Sequence, residues 1–205
     1  MDTMLSFDGG SFAMRGLILA GGKSSRFGQD KALVQYDGIT FLERAANLLN
    51  SLNLKPVIIT RQGNKYSIPK SILIYDKLPG QGPLGGIYTA MTIFQKTTFL
   101  VLTCDMPLMT ASPLLDLISR HAQDQEITLF SVRHQWQPFP GVYSPAIIDR
   151  LRQQLLKNDL SMHALLKKSF KKKIIVWSND PAEFSNVNQK EDLDKRPSFS
   201  LTSAC

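Results

Sequence analysis

Six short apolar runs punctuate the chain: Leu17–Ala20, Val57–Thr60, Ile72–Tyr75, Phe99–Thr103, Ile127–Val132 and Ile174–Trp177. Each is continuous rather than alternating, and rich in Ile and Val. Strands covered on both faces read this way. Helical patterns lie between them. Thr40 and Glu43 have capping-box spacing, and Phe41, Leu42, Ala45, Leu48, Leu49 and Leu52 then form one apolar stripe. Pro83 to Phe94 reads as a helix opened by glycine. Ser112-Pro113 starts another, and Pro145–Leu156 and Ser161–Lys168 supply two more. Strands alternating with helices predict an α/β fold with a mostly parallel sheet and helices on both faces.

The rest of the chain changes this picture little. With 205 residues it fits one domain, expected over residues 14–194. Residues 1–13 and 195–205 lack periodicity and are expected to be a loose extension and a flexible tail. No apolar run reaches the roughly 18 residues of a membrane helix, and the first residues lack the basic and apolar regions of a secretory signal. No membrane partner is expected. Two cysteines, one of them terminal, suit a reducing cytoplasm better than a disulfide framework. The net charge of +7 fits any anionic partner. Its lysines are scattered apart from Lys167-Lys168 and Lys171–Lys173, with no aromatic and basic repeat, so nucleic acid is not expected.

In open α/β sheets, ligands bind beyond the carboxyl ends of the strands. After the first run comes "AGGKSSRFGQDK", Ala20 to Lys31. After the third comes Asp76 and then the glycine-rich turn Leu78–Gly86, and after the fourth comes Thr103–Pro107, "TCDMP". Glycines let backbone N–H groups close on an anion, and the cations suit the same charge. The spacing is neither that of a Walker loop nor that of a dinucleotide fingerprint. Cys104 reads as a small buried hydrophobe. His121, His134 and His163 lack metal-ligand spacing. Asp76 is open to a turn role, Asp105 to a helix-cap role, and Trp136–Phe139 either to lining a ligand with aromatic surface or to plain packing.

The string from Leu19 to Lys31, followed by "GPLGG" and "CDMP" and by "FSNVNQKEDL" at Phe184–Leu193, resembles the molybdenum cofactor guanylyltransferases. The resemblance runs from about Met14 to Leu193. It implies a three-layer Rossmann-like sandwich of the nucleotide-diphospho-sugar transferase type. It further implies transfer of GMP from GTP to the terminal phosphate of molybdopterin, with release of pyrophosphate. Leu19, Ala20, Gly21 and Gly22 match the family's nucleotide-binding turn. Arg26 and Lys31 match its basic residues facing the triphosphate. Asp76 matches an acidic position near the nucleoside, and Asp105 matches the aspartate that binds magnesium.

Asn186 and Asn188 match asparagines near the second substrate, with Gly82, Pro83 and Leu84 beside them. Thr60 stands where the family often has an asparagine on the base-binding side. Nucleotidyl transfer between two anions is mainly positioning and charge neutralisation, which Asp105, Arg26, Lys31 and Mg2+ can supply. GTP, the pterin, and molybdoenzymes or their chaperones are the implied partners. The alternatives are cytidylyl transfer to the same pterin, a sugar-phosphate nucleotidyltransferase, and a GTP-binding cofactor-delivery protein. Relatives that use CTP tend to carry alanine where this chain has Gly21, so the missing side chain favours a purine.

Overall fold

The structure is a computed structural model that describes residues 3–7, 10–21, 30–187 and 192. Its main sheet takes β1 (Thr3–Phe7), β2 (Gly10–Leu19), β5 (Pro56–Thr60), β6 (Ile72–Tyr75), β7 (Thr98–Thr103), β8 (Ile127–Val132), β9 (Gln135–Tyr143) and β10 (Lys172–Val176). The strand order is β10-β8-β9-β7-β2-β5-β6. Along that path every strand is parallel to β2 except β9, which runs antiparallel to both β7 and β8. A small hairpin of β3 (Gln35–Tyr36) and β4 (Ile39–Thr40) stands apart. The helices are α1 (Phe41–Ser51), α2 (Gly82–Ile93), α3 (Ala111–Arg120), α4 (Ile148–Leu156) and α5 (Met162–Lys168). None is long and apolar enough to cross a membrane.

Continuous apolar strands need cover on both faces, and the core is accordingly two clusters. Alternate residues of β2 divide between them. Ile18 joins Leu42 and Leu49 of α1 and Leu114 and Leu117 of α3. Leu17 joins Leu84 and Ile87 of α2, Leu151 of α4 and Leu165 of α5. This is the expected three-layer α/β sandwich. The Thr40–Glu43 capping box forms as predicted, with the Glu43 amide donating to Thr40 Oγ1 at 3.1 Å and the Thr40 amide to Glu43 Oε2 at 3.0 Å.

Two stretches differ from expectation. Residues 3–7 are not loose: they pair antiparallel with the first residues of β2, from Thr3 opposite Met14 to Phe7 opposite Gly10. The two residues between the paired ends, Asp8-Gly9, have the sequence of a tight hairpin turn. The other stretch is β9, whose glutamines and prolines hide a strand. It enters the sheet through Arg133 and His134, both at positive φ (49° and 66°), the backbone a two-residue hairpin turn requires. Its prolines fall where the β8–β9 register shifts, between Leu129 opposite Gly141 and Phe130 opposite Gln137. The buried Tyr143 hydroxyl donates to Pro138 O at 2.6 Å and ties this bulge to the strand. Trp136 and Phe139 are half-buried against the core, so the packing reading of "WQPF" holds for them.

His121 ends α3 and is only 3% exposed, with Nδ1 2.8 Å from Thr128 Oγ1. Thr128 gives its one hydroxyl hydrogen to Gln125 Oε1 at 3.0 Å, so the ring nitrogen must be the donor. Burial, reinforced by Lys173 and opposed by Asp124, lowers the His121 pKa to about 4. The folded state therefore holds a neutral imidazole while the unfolded state titrates near 6.5. Stability from this site is complete above pH 6.5 and is lost as the pH falls towards 4, by up to about 3 kcal/mol. Urea unfolding at pH 7 and pH 5 should show that fall, and a His121→Gln variant should flatten it. An equally steep fall in the variant would assign the acid sensitivity elsewhere.

Candidate active site

Four parallel strands end at one edge of the sheet, and the neighbours of β2 lie on opposite sides of it. Such a reversal of strand order opens a crevice. A cleft of about 530 Å³ lies there. Leu19, Ala20 and Gly21 line it from the end of β2, Thr60 and Arg61 from β5, Asp76 from β6, and Cys104 and Asp105 from the end of β7. Gly82 and Pro83 line it from the start of α2, and Asp30 and Lys31 from the turn before β3. Residues separated by up to 86 positions in sequence thus meet as the strand-end rule predicts. Gly22, Arg26 and Asn188 lie outside the described residues.

Asp105 carries the strongest electrostatic feature. Its Oδ2 is 3.3 Å from Lys31 Nζ, and both side chains are about one-fifth exposed. Its Oδ1 is buried and has no hydrogen-bond partner. A buried carboxylate oxygen without a donor needs an explanation, and a hard cation is a fitting one. No group of three His, Cys, Asp or Glu side chains suitable for a metal occurs among the described residues. A cation here would therefore depend on Asp105 together with a ligand's oxygens and water. The Val187 amide donates to Asp105 O at 2.8 Å, which fixes the neighbouring, exposed Asn186 beside the end of β7.

Asp76 does act as a turn residue. Its Oδ1 accepts from the Leu78 amide at 3.0 Å and from Thr89 Oγ1 at 2.9 Å, which ties the end of β6 to α2. It lines the cleft at the same time. Helix α2 approaches the sheet closely because Gly86 has no side chain: a Cβ there would stand 2.8 Å from Leu19 Cδ2. The first turn of α2 has no side-chain cap, and the positive end of its dipole borders the cleft. Leu84, expected near a second substrate, is wholly buried in the core beneath α2. As the third residue of α2 it packs against the sheet, and its side chain does not line the cleft. Thr60 is also fully buried, and its hydroxyl donates to Ala20 O at 3.4 Å.

Cys104 is free and buried. Burial, with Asp105 and Asp30 nearby, pushes its thiol up to about 12, so it offers no thiolate nucleophile. Asp30, Arg61 and Thr103 also line the cleft; in the sequence Asp30 and Thr103 stood within the quoted motifs without a role, and Arg61 was not singled out. Arg61 had a signal, since it directly follows a strand that ends at the site. Asp30 stood inside the motif that ends at Lys31, but its bonded role had no signal, because its partners lie more than 30 residues away.

The chain is similar to known proteins in sequence and in fold. A "Probable molybdenum cofactor guanylyltransferase" of Flavobacterium johnsoniae is 30% identical over 86% of this chain and 93% of its own. A chain of the same name from Bacillus velezensis is 33% identical over 87% and 92%. A crystal structure of a protein from Aquifex aeolicus superposes with a TM-score of 0.72 at 25% identity, covering 86% of this chain and 94% of that one. Molybdopterin-guanine dinucleotide biosynthesis protein A of Archaeoglobus fulgidus shares the fold, with a TM-score of 0.74 at 19% identity over 89% and 96%. The family model of the MobA-like NTP transferase domain matches residues 16–174, and the chain belongs to that family.

Proposed function

We propose that this chain transfers GMP from GTP to the terminal phosphate of molybdopterin, releasing pyrophosphate and forming molybdopterin guanine dinucleotide. The observation that carries the reading is the buried, unpartnered Oδ1 of Asp105 beside Lys31, across the cleft from the Gly21 turn. The names of the relatives supply the substrate pair. An oxygen of the pterin phosphate would attack the α-phosphorus of GTP. The new P–O bond forms as the bond to the β-phosphate oxygen breaks, and pyrophosphate departs. The nucleophile is already anionic, so no general base is required. Among the described residues, no histidine lines the cleft.

Each residue then has a definite task. Lys31, with Arg26 of the same motif, neutralises charge on the triphosphate and on the departing pyrophosphate. Asp105 suits Mg2+, which prefers oxygen ligands and takes one or two carboxylates together with phosphates and water. Bound there, magnesium would offset charge on the phosphates and orient them. Ala20 and Gly21 present backbone to the nucleoside, with Asp76 beside them. Gly82, Pro83, Asn186 and Asn188 serve the pterin side. We assign the reaction to the cytoplasm, with molybdoenzymes or their chaperones as receivers of the product.

Asp105→Asn keeps the shape and removes the charge. Its magnesium-dependent pyrophosphate release from GTP and molybdopterin should fall by about a hundredfold or more. Normal turnover in that variant would move the metal elsewhere, and a folded wild-type chain that binds GTP without releasing pyrophosphate would identify a delivery protein instead.

Gly21 tests base choice. A Cβ there would meet nothing closer than Arg61 N at 3.7 Å, an ordinary contact, so Gly21→Ala should leave the melting temperature unchanged. The added methyl group projects towards the nucleoside. It should lower the ratio of kcat/KM for GTP over CTP by about tenfold, the order expected of one methyl group in a fitted site. Competition between the two nucleotides in wild type and variant measures this. A wild-type preference for CTP would make the chain a cytidylyl transferase with fold and metal site unaltered.

A further inference from the structure

Asp30 is the most heavily bonded acid in the cleft. Its Oδ1 accepts the Ala32 amide at 3.0 Å and caps the 3-10 turn that begins at Lys31. Its Oδ2 accepts from the Asn64 side-chain amide at 3.1 Å and from the Tyr66 hydroxyl. The same Asn64 nitrogen lies 3.1 Å from Thr60 Oγ1 and 2.8 Å from Tyr66 Oη. Its two hydrogens serve three acceptors, so one is shared. Thr60 passes its own hydrogen to Ala20 O. One chain of hydrogen bonds therefore joins the end of β2, the end of β5, the segment after β5 and the turn that carries Lys31.

Two consequences follow for Lys31. The turn is fixed at its first residue, so the lysine enters the cleft from a set position. In addition, a carboxylate next to a lysine in sequence competes for its charge, and Asp30 is occupied by three donors on both of its oxygens. Burial, together with the Asp30 carboxylate, pushes the Tyr66 phenol well above its ordinary value, so it stays a donor at working pH. We propose that Tyr66 and Asn64 are positioning residues for Lys31, acting through Asp30 to keep the ammonium in the cleft at Asp105. Neither reaches the cleft lining itself. The placement of Lys31 does not depend on which nucleotide binds, and only the kinetic part of the test rests on the proposed function.

The test uses full-length Tyr66→Phe and Asn64→Ser, both checked for folding by thermal melting. The first readout needs no nucleotide. Lys31 is acetylated with an N-hydroxysuccinimide ester and followed by peptide mass spectrometry, with exposed Lys55 as internal reference. Its relative rate should rise about tenfold in each variant, as expected for loss of a hydrogen bond to a charged group. The second readout is steady-state kinetics: kcat for GTP-dependent pyrophosphate release should fall by a similar factor, with KM for the pterin unchanged. In a Lys31→Met background Tyr66→Phe should have no further effect. Unchanged Lys31 acetylation in folded variants, or an undiminished effect of Tyr66→Phe without Lys31, would overturn the proposal and leave the network as a tether of the segment after β5. A wild type inactive with GTP would overturn the proposed function alone, since the acetylation result still decides the placement.

Discussion

The parallel pairing of β2 with β5 on one side and β7 on the other is the constraint from which the site follows. Leu19 lies opposite Ile59 in one ladder and Thr103 in the other. Three strand ends are thereby brought level, and whatever residues come next must share one rim. Adjacent strands lie about 4.8 Å apart, so Asp105 beyond β7 and Arg61 beyond β5 stand roughly 10 Å from each other at the backbone. That is about the span from the phosphates of a nucleotide to its base. The close approach of α2 at Gly86 closes the rim from one face, and the turn at Lys31 closes it from the other.

Charge within this rim is paired, and under the proposed function it would suit an anion that arrives with a cation. Asp105 and Lys31 neutralise each other in the free chain at 3.3 Å, a spacing at which neither is locked by ideal hydrogen-bond geometry. Partial burial makes the pair more costly to leave unmatched than a surface pair. On the proposed reading, phosphate oxygens take over Lys31 and a magnesium ion takes over Asp105, and each charge exchanges one partner for another. The unpartnered Oδ1 shows that the carboxylate is incompletely satisfied by the lysine alone. Asp30 contrasts with it: three donors saturate it, which suits a group that holds the site together rather than one that binds a ligand.

Much of this was legible in the sequence because its signals were local. Both-face burial wrote itself into Val57–Thr60 and Phe99–Thr103, and β5 and β7 begin within one residue of those runs. The Thr40 capping box reaches only three residues along the chain and was read directly. The site was readable for the same reason: Ala20, Gly21, Asp76 and Asp105 each stand within two residues of a strand end. What escaped was nonlocal. β9 owes its place to a two-residue turn at Arg133-His134 whose residues carry no turn signal, and to partners on β7 some 40 residues away. Asp30 owes its role to Asn64 and Tyr66, and no spacing rule links these three.

Position 60 shows how a departure from a family pattern is absorbed. An asparagine there would present an amide, whereas Thr60 is wholly buried and its hydroxyl is spent between Ala20 O and the Asn64 amide. It has no hydrogen left for a base. On the proposed function, discrimination between bases would fall to groups that remain open to the cleft, and Gly21 and Arg61 line it on that side. The fold does not need the glycine at position 21, since a Cβ would fit against Arg61, and on the proposed function that open volume is left to the nucleotide. A site that selects by shape at Gly21 can give up the side chain at position 60 to the framework that holds Lys31.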